Sequence, residues 1–290
     1  MDNKKSTPVS NYLSLVKFSH TIFAMPFALV GFLLAAKTEH SFSWRLLLLV
    51  VLCMVFARTA AMAFNRYIDR AFDGNNLRTK NREIPSGIIS SRSALVFVII
   101  NCFLFSVTAF FINTTCCFLS PVALLIILGY SYTKRFTWLC HMVLGIGLAL
   151  APIGAYIAVS GRFDTLPLLL SFSVLFWVSG FDIIYALQDE EFDKSQKLQS
   201  IPVFLGKKNA LLLSSVFHFL TTVLIVIFGI TGSFGSWYWV GAGIFTGLLI
   251  YQHTLVKPND LDKVNLAFFT TNGIASTLFA VFFILENCLK

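Results

Sequence analysis

Apolar residues fill long, nearly unbroken segments of this chain, and polar residues are confined to the stretches between them. Nine segments are about 20 residues long, the length that an α-helix needs to cross the hydrocarbon core of a bilayer. The predicted spans are 18–36, 44–64, 94–113, 115–133, 138–160, 165–186, 209–231, 236–255 and 265–285. Because backbone groups in lipid must be hydrogen-bonded within the protein, the pattern predicts an all-α integral membrane protein with nine transmembrane helices.

Composition supports the same class. Hydrophobic residues make up 57% of the 290 residues and charged residues only 12%, which is more apolar than a water-soluble fold of this length requires. Little sequence remains between the spans for a separate soluble domain. We therefore predict one polytopic membrane domain over residues 1–290.

The basic residues indicate how the chain is oriented. Lysine and arginine concentrate in the N-terminal tail and in the loops that follow the second, fourth, sixth and eighth predicted spans. By the positive-inside rule, this asymmetry places the N-terminus and these loops in the cytoplasm and the C-terminus on the opposite side of the cell (inner) membrane. A nucleic-acid surface is disfavoured as the cause of the net charge of +8, because the charges lie in short loops between spans.

Two acidic clusters occur where apolar segments end. The first comprises Asn65, Asp69 and Asp73, and the second comprises Asp182, Tyr185, Asp189 and Asp193. Residues four apart share one face of a helix, so each cluster is expected to form a polar stripe. The aspartate pairs are 120 residues apart, and an Ile-Pro pair follows each. This predicts an internal duplication whose copies face each other across a central cavity.

Carboxylates are unfavourable at these positions. The ends of the predicted helices carry partial negative charge, and acidic side chains four residues apart repel one another. Such groups either take up protons or hold divalent cations, and oxygen ligands suit Mg²⁺. The alternative is a set of solvated acids paired with Arg66, Arg70 and Lys194, and two clusters in register favour the metal.

Basic residues near the acidic clusters indicate an anionic substrate. The long loops 65–93 and 187–208 carry the two acidic motifs on the predicted cytoplasmic face. Arginine and lysine of the type that binds phosphate oxygens lie at the same level. The predicted diphosphate-binding residues are Arg78, Arg82, Lys134 and Arg135.

Four motifs in order resemble the UbiA superfamily of intramembrane aromatic prenyltransferases. Its N-x3-D-x3-D pattern is matched by Asn65 to Asp73, and its D-x2-Y-A-x2-D-x3-D pattern by Asp182 to Asp193. The stretch 78–87 is similar to the family's R-T-x-N-R-P-L-P-S-G, and 130–137 resembles its Y-x3-K-R-x-T turn. One departure is Glu83, where the family usually has proline.

The resemblance implies a UbiA-type fold with nine helices around a central cavity, and a Mg²⁺-dependent reaction. A polyprenyl group would pass from polyprenyl diphosphate to an aromatic acid, with 4-hydroxybenzoate as the expected acceptor, in ubiquinone or menaquinone biosynthesis. The metal ligands that the resemblance implies are Asn65, Asp69, Asp73, Asp189 and Asp193. The implied catalytic residues are Asp69, Asp73, Asp182, Tyr185, Asp189 and Asp193. Asp182 or Asp73 would orient or deprotonate the phenol.

The acceptor is open to a second interpretation. Residues 17–29 look more like a bacterial subgroup that is associated with menaquinone made through futalosine, whose acceptor is a naphthoate. His20 and Tyr130 are the candidate acceptor-binding residues, although a structural or topological role for His20 is favoured.

A cation or metabolite transporter is the alternative class, because intramembrane charges can mark a translocation path. The clusters lie at one membrane face with no matching charges leading to the other, which disfavours transport. Nothing in the sequence indicates nucleic acid or an obligate protein partner.

Overall fold

The computed structural model describes residues 7–16 and 23–289, and these residues form helices joined by turns. Within each apolar segment the predicted helix is present. The helices are α1 (Pro8–Leu15), α2 (Met25–Thr38), α3 (Trp44–Ile68), α4 (Arg70–Asn75), α5 (Ser91–Ile112), α6 (Thr114–Thr133), α7 (Cys140–Ser160), α8 (Thr165–Ala186), α9 (Glu190–Ser195), α10 (Ile201–Thr231), α11 (Ser236–Leu255) and α12 (Asn272–Cys288). A 3-10 turn covers Leu187–Asp189, and a π-helical turn covers Leu266–Thr271.

Seven described helices are long and apolar enough to cross a membrane, which confirms the all-α membrane class. The predicted number of nine is not confirmed. The described part of the first predicted span is the 14-residue helix α2, and the 20-residue helix α11 does not belong to the seven. The beginning of that first span, residues 18–22, lies outside the described residues.

Successive long helices pack side by side, and the two ends of the chain meet. The order of neighbours runs from α3 through α5, α6, α7, α8, α10 and α11 to α12. Helix α12 then packs against α2, which in turn contacts α3 and α7. This closed order brings the C-terminal ends of α3, α6 and α8 near one another at one end of the bundle.

Burial differs between the two sides of the bundle. Helix α8 is mostly buried, whereas most residues of α5 and α6 are only partly buried or exposed. The largest apolar core lies in the C-terminal half, where Trp177 of α8 packs on Phe27, Phe181 and Phe245. Helices α7 and α8 therefore form the rigid wall of the molecule, to which the functional loops attach.

Two glycines allow the helices of this wall to approach closely. A methyl group at Gly31 of α2 would lie 2.1 Å from the carbonyl oxygen of Pro152 in α7. A methyl group at Gly145 of α7 would lie 2.5 Å from the carbonyl oxygen of Leu175 in α8. Both distances are too short for a side chain, so glycine lets backbones pack directly, as is common in membrane helix pairs.

Candidate functional site

Both acidic motifs lie at a break between a long helix and a short one. Helix α3 ends before Asp69, and the six-residue helix α4 begins directly after it. Helix α8 passes into a 3-10 turn that ends at Asp189, and the six-residue helix α9 follows. The two short helices are 120 residues apart in the chain. The same local structure therefore recurs in both copies, but each predicted stripe is divided rather than carried on one continuous helix.

The two motifs line one cavity of about 960 Å³. All twelve described residues that the sequence assigned to metal, diphosphate, acceptor or catalysis contribute to its wall. These residues are Asn65, Asp69, Asp73, Arg78, Arg82, Tyr130, Lys134, Arg135, Asp182, Tyr185, Asp189 and Asp193. The remaining candidate, His20, lies outside the described residues.

Each of the four predicted phosphate-binding cations is paired with one of the four predicted metal-binding aspartates. The pairs, with their shortest N···O distances, are Arg78–Asp189 (2.6 Å), Arg82–Asp73 (2.6 Å), Lys134–Asp193 (2.8 Å) and Arg135–Asp69 (3.3 Å). The alternative pairing with Arg66, Arg70 or Lys194 is not seen within the described residues. Arg70, for example, donates to the carbonyl oxygen of Tyr67 at 2.6 Å. The acidic and basic halves of the site therefore neutralise each other one to one.

Arg78 makes the most extensive of these contacts. Its Nε and Nη2 donate to the two carboxylate oxygens of Asp189 at 3.2 and 2.6 Å, and its Nη1 donates to Tyr185 Oη at 2.9 Å. A guanidinium that binds a carboxylate through two nitrogens holds both groups in a fixed orientation. Because Arg78 belongs to the loop after α4, this contact attaches the first motif's loop to the second motif.

Lys134 connects the end of α6 to the second motif. Its Nζ donates to Asp193 Oδ2 at 2.8 Å, and the Asp193 side chain is 3% exposed. Burial alone would lower the pKa of Lys134, but the adjacent Asp193 carboxylate raises that pKa above its ordinary value. The Lys134 ammonium is therefore charged at neutral pH.

Asp73 differs from the other aspartates because one of its oxygens is unpaired. Arg82 Nη1 donates to its Oδ1 at 2.6 Å, while the buried Oδ2 has no hydrogen-bond partner among the described residues. Burial raises the pKa of Asp73 to about 6, despite the attraction of nearby Arg66. Burial also raises the pKa of neighbouring Asp69, although Arg135 opposes it. The Asp73 carboxylate therefore has too little positive charge around it to offset the cost of its burial.

The donor set fits Mg²⁺. Its members offer oxygen atoms only, and a buried carboxylate oxygen of Asp73 stands without a partner in the described part of the chain. No three His, Cys, Asp or Glu side chains among the described residues converge on one point. Asparagine and aspartate oxygens suit a hard ion that takes one or two carboxylates and completes its shell with waters and substrate phosphate oxygens.

A second, apolar cavity of about 390 Å³ adjoins the polar one between α3, α6 and α7. Four residues line both cavities, so the two spaces meet at them. These residues are Arg58, Tyr130, Leu144 and Leu148. The combined space has a charged end in the loops and a hydrocarbon-lined end inside the bundle, which suits a molecule with an anionic head and an apolar tail.

Arg58 is a site residue that the sequence analysis did not assign. It lies within α3 at the junction of the cavities, and its buried Nε has no partner among the described residues. An arginine inside a membrane span is costly unless it faces a cavity or a partner. A charged residue at position 58, inside a predicted span, is therefore the sequence feature that could have identified Arg58 as a site residue.

His141 is the second residue that was missed. It is 1% exposed, lines the polar cavity and shares a hydrogen bond of 2.7 Å between its Nδ1 and Asp182 Oδ2. Its Nε2 is buried and has no hydrogen-bond partner within the described residues. A single histidine near the start of an apolar segment carries no motif, so the sequence offered no signal for this pairing.

Glu83 also has a structural partner. Its carboxylate accepts a hydrogen bond from the Ser14 hydroxyl of α1, and Glu83 lines the cavity. The acidic residue that replaces the family's proline thus attaches α1 to the loop after α4.

Known sequences identify the family. A model of the UbiA prenyltransferase family matches residues 24–274. A 4-hydroxybenzoate octaprenyltransferase of Aliivibrio fischeri (strain MJ11) is 31% identical over 239 residues, which cover 81% of this chain and 82% of that protein. The enzyme of the same name from Tolumonas auensis is 31% identical over 248 residues, with 85% of each chain covered.

Known structures agree with the sequence comparison. A UbiA homolog from Aeropyrum pernix K1 in its apo form superimposes with a TM-score of 0.84 and 31% identity, over 92% of this chain and 98% of that one. A UbiA homolog from Archaeoglobus fulgidus bound to GPP and Mg²⁺ superimposes with a TM-score of 0.72 over 96% of this chain and 99% of that one. Its identity of 22% shows a shared fold. Together with the matched family model, these likenesses show that the chain belongs to the UbiA prenyltransferase family.

Proposed function

We propose that this prenyltransferase moves a polyprenyl group from polyprenyl diphosphate to the ring of an aromatic acid, with Mg²⁺ as the cofactor and 4-hydroxybenzoate as the acceptor. The observation that carries the proposal is the direct junction between a cavity of paired acids and bases and a hydrocarbon-lined pocket. The reaction would serve quinone biosynthesis.

The charge pairs explain how a diphosphate would be accepted. Four cations and four carboxylates neutralise one another across the cavity. A diphosphate with Mg²⁺ would offer each group a new partner of opposite charge: phosphate oxygens for the four cations and the metal for the carboxylates. The exchange keeps every charge compensated, which limits the desolvation cost of binding.

The metal ligands in this proposal are Asn65, Asp69, Asp73, Asp189 and Asp193. When bound there, Mg²⁺ would offset the charge that develops on the departing diphosphate and so favour cleavage of the allylic C–O bond. The family member from Archaeoglobus fulgidus was solved with GPP and Mg²⁺, which supports this assignment. Arg78, Arg82, Lys134 and Arg135 would add fixed positive charge around the same oxygens.

The apolar pocket would hold the polyprenyl tail. Because the pocket meets the polar cavity at Tyr130, Leu144 and Leu148, the first carbon of the tail would lie at this junction. An allylic cation formed there would be surrounded by hydrocarbon and protected from water, which would otherwise quench it.

The acceptor would bind at the same junction. Arg58 presents a buried guanidinium with an unpaired nitrogen within the described residues, which is suited to a carboxylate. Tyr130 stands beside it in the wall shared by the cavities. The curated relatives are named 4-hydroxybenzoate octaprenyltransferases, which supports a benzoate as the acid.

The basic loops that surround the cavity indicate its side of the membrane. The positive-inside rule places them in the cytoplasm, so we propose that the site opens to the cytoplasmic face of the cell membrane. Water-soluble acceptors would then reach the site directly.

The test uses membranes that contain the full chain and a radiolabelled polyprenyl diphosphate. Transfer to 4-hydroxybenzoate is expected with Mg²⁺ and is expected to stop in EDTA. A dihydroxynaphthoate supplied in a parallel reaction distinguishes the second acceptor class, and preference for it would overturn the benzoate assignment.

Variants of the acidic clusters complete this test. Asp69→Ala and Asp189→Ala should abolish the product, whereas Asp262→Ala, an exposed acid outside the cavity, should retain wild-type turnover. Full turnover of both cluster variants would contradict the metal assignment.

A further inference from the structure

The cavity contains one acid–base pair that differs from the other four. Asp182 is paired with the imidazole of His141 rather than with an arginine or lysine among the described residues. The pair lies in the cavity wall and joins α7 to α8, two helices that pack extensively against each other. We propose that His141 accepts the proton that the aromatic ring loses during prenylation, with Asp182 as its positioning residue.

The position of His141 along α7 supports this role. His141, Leu144 and Leu148 occupy one face of the helix, because they are separated by three and four residues. Leu144 and Leu148 mark the junction of the cavities, while His141 lines only the polar one. The imidazole therefore lies one helical turn from the junction, on the side where the diphosphate and the acceptor ring meet.

The hydrogen bond to Asp182 determines which nitrogen can act. A carboxylate accepts hydrogen bonds, so the Nδ1 atom that faces Asp182 Oδ2 at 2.7 Å carries the hydrogen. In a neutral imidazole the lone pair is then on Nε2, and this atom has no partner among the described residues. An aspartate that fixes the histidine tautomer and stabilises the imidazolium is a recurring arrangement for a general base.

The other cavity carboxylates are poorly placed for this task. Asp69, Asp73, Asp189 and Asp193 are each engaged by a cation and belong to the proposed metal-binding set. Glu83 accepts a hydrogen bond from the Ser14 hydroxyl. A carboxylate that binds a cation is a weak base, whereas the pair of His141 and Asp182 is available.

Proton transfer to His141 would follow the prenyl transfer of the proposed function, on which this inference rests. The allylic C–O bond breaks with its electron pair on the departing diphosphate oxygen, and ring π electrons form the new C–C bond. The ring carbon then loses its proton to the Nε2 lone pair of His141, and the C–H electron pair restores aromaticity. The resulting imidazolium is paired with the Asp182 carboxylate and returns its proton to the diphosphate or to water.

The test compares His141→Gln with wild-type protein, using 4-hydroxybenzoate that carries hydrogen or deuterium at the ring carbons beside the hydroxyl. Glutamine can still donate to Asp182, but it has no basic nitrogen. Turnover is expected to fall by about 100-fold or more, which is the usual contribution of a general base. Deuterium should slow the variant more than it slows the wild type, because proton loss then limits the rate. Asp182→Asn should likewise show a fall in turnover and a larger deuterium isotope effect than the wild type.

His218→Gln is the matched control. His218 is 3% exposed in α10 and contacts the carbonyl oxygen of Trp177 at 3.2 Å, but it does not line the cavity. Its turnover and isotope effect are expected to match those of the wild type.

The outcomes separate the two proposals. A fall in His141→Gln turnover with an unchanged isotope effect would show a positioning role only, and turnover close to wild type would show no role. Either result overturns this inference while the proposed function stands. A wild type that prenylates neither acid overturns the proposed function, and this inference with it.

Discussion

The two acidic clusters are copies in sequence, but their carboxylates are held differently. In the first cluster, Asp73 pairs with Arg82 of its own loop and keeps one buried oxygen without a partner among the described residues. In the second, Asp189 is bound through both oxygens by an arginine from the other motif's loop. Asp193 is bound by Lys134 from the end of α6, and its side chain is 3% exposed.

This difference indicates that the two clusters have different roles. The second cluster connects the loop after α4 and the end of α6 to α8, so its ion pairs shape the cavity. Asp69 of the first cluster is the most loosely held of the four aspartates, since its distance to Arg135 is 3.3 Å and both side chains are partly exposed. A cation can therefore enter at the first cluster with less rearrangement than at the second.

The largest expected effect is a difference in kcat/KM between Arg78→Lys and Arg82→Lys. Lysine cannot reproduce the two-nitrogen contact of Arg78 with Asp189, and a hydrogen bond to a charged group is worth about 1.5–3 kcal/mol. We expect kcat/KM for the diphosphate to fall about 100-fold in Arg78→Lys and about 10-fold in Arg82→Lys. Initial rates at varied donor concentration measure both values, and equal losses would show that the link between the motifs is unimportant.

The second effect concerns stability without metal. Asp193→Ala leaves the partly buried Lys134 ammonium without its carboxylate, which should cost about 2 kcal/mol after allowance for solvent screening. Asp73→Ala should cost about 1 kcal/mol or less, because it also removes a buried oxygen that has no partner in the described structure. Thermal unfolding of detergent-solubilised protein in EDTA compares the two. A larger loss of stability in Asp73→Ala than in Asp193→Ala would contradict the different roles proposed for the two clusters.

The third effect is a dependence on pH that belongs to the first cluster. Burial raises the pKa of Asp73 from 3.8 to about 6, so the folded state favours the protonated carboxyl. Its contribution to stability is therefore fully present below about pH 4 and is lost as the pH rises through 6.

Metal-free wild type should thus gain thermal stability relative to Asp73→Asn as the pH falls from 7 to 4. The expected shift is about 2–4 °C for each kcal/mol gained. A difference in thermal stability between the two proteins that does not change with pH would contradict the raised pKa of Asp73.

The smallest expected effect is that of Tyr185→Phe. The change removes the hydrogen bond of 2.9 Å from Arg78 but keeps the ring contact with Phe268, whose centroid lies 4.2 Å away. The Arg78 guanidinium keeps both of its contacts with Asp189 after this change, so we expect a loss of about 1 kcal/mol, less than the roughly 1.5–3 kcal/mol of a fully lost hydrogen bond to a charged group. The KM for the diphosphate should therefore rise about five-fold with little change in kcat. Steady-state kinetics measures the two parameters separately, and a large fall in kcat would assign Tyr185 to the chemistry itself.

Much of the site could be predicted because spacing in a helix is a local property. Aspartates four residues apart at the end of an apolar segment are expected close together at one membrane surface, and the same holds for a matching pair 120 residues later. Both motifs accordingly line one cavity. The break at Asp69 could not be predicted, since it depends on how the loop after α4 packs against neighbouring elements.

The sequence by itself determined the membrane class, the helical segments and the family, because hydrophobicity, segment length and motif spacing are local quantities. The tertiary structure alone decided which charges are partners. Arg78 and Asp189 are 111 residues apart, and Lys134 and Asp193 are 59 apart, so the order of helix packing brings them together. The same packing makes His141 and Arg58 part of the site, since a residue's chemistry depends on what faces it across the cavity.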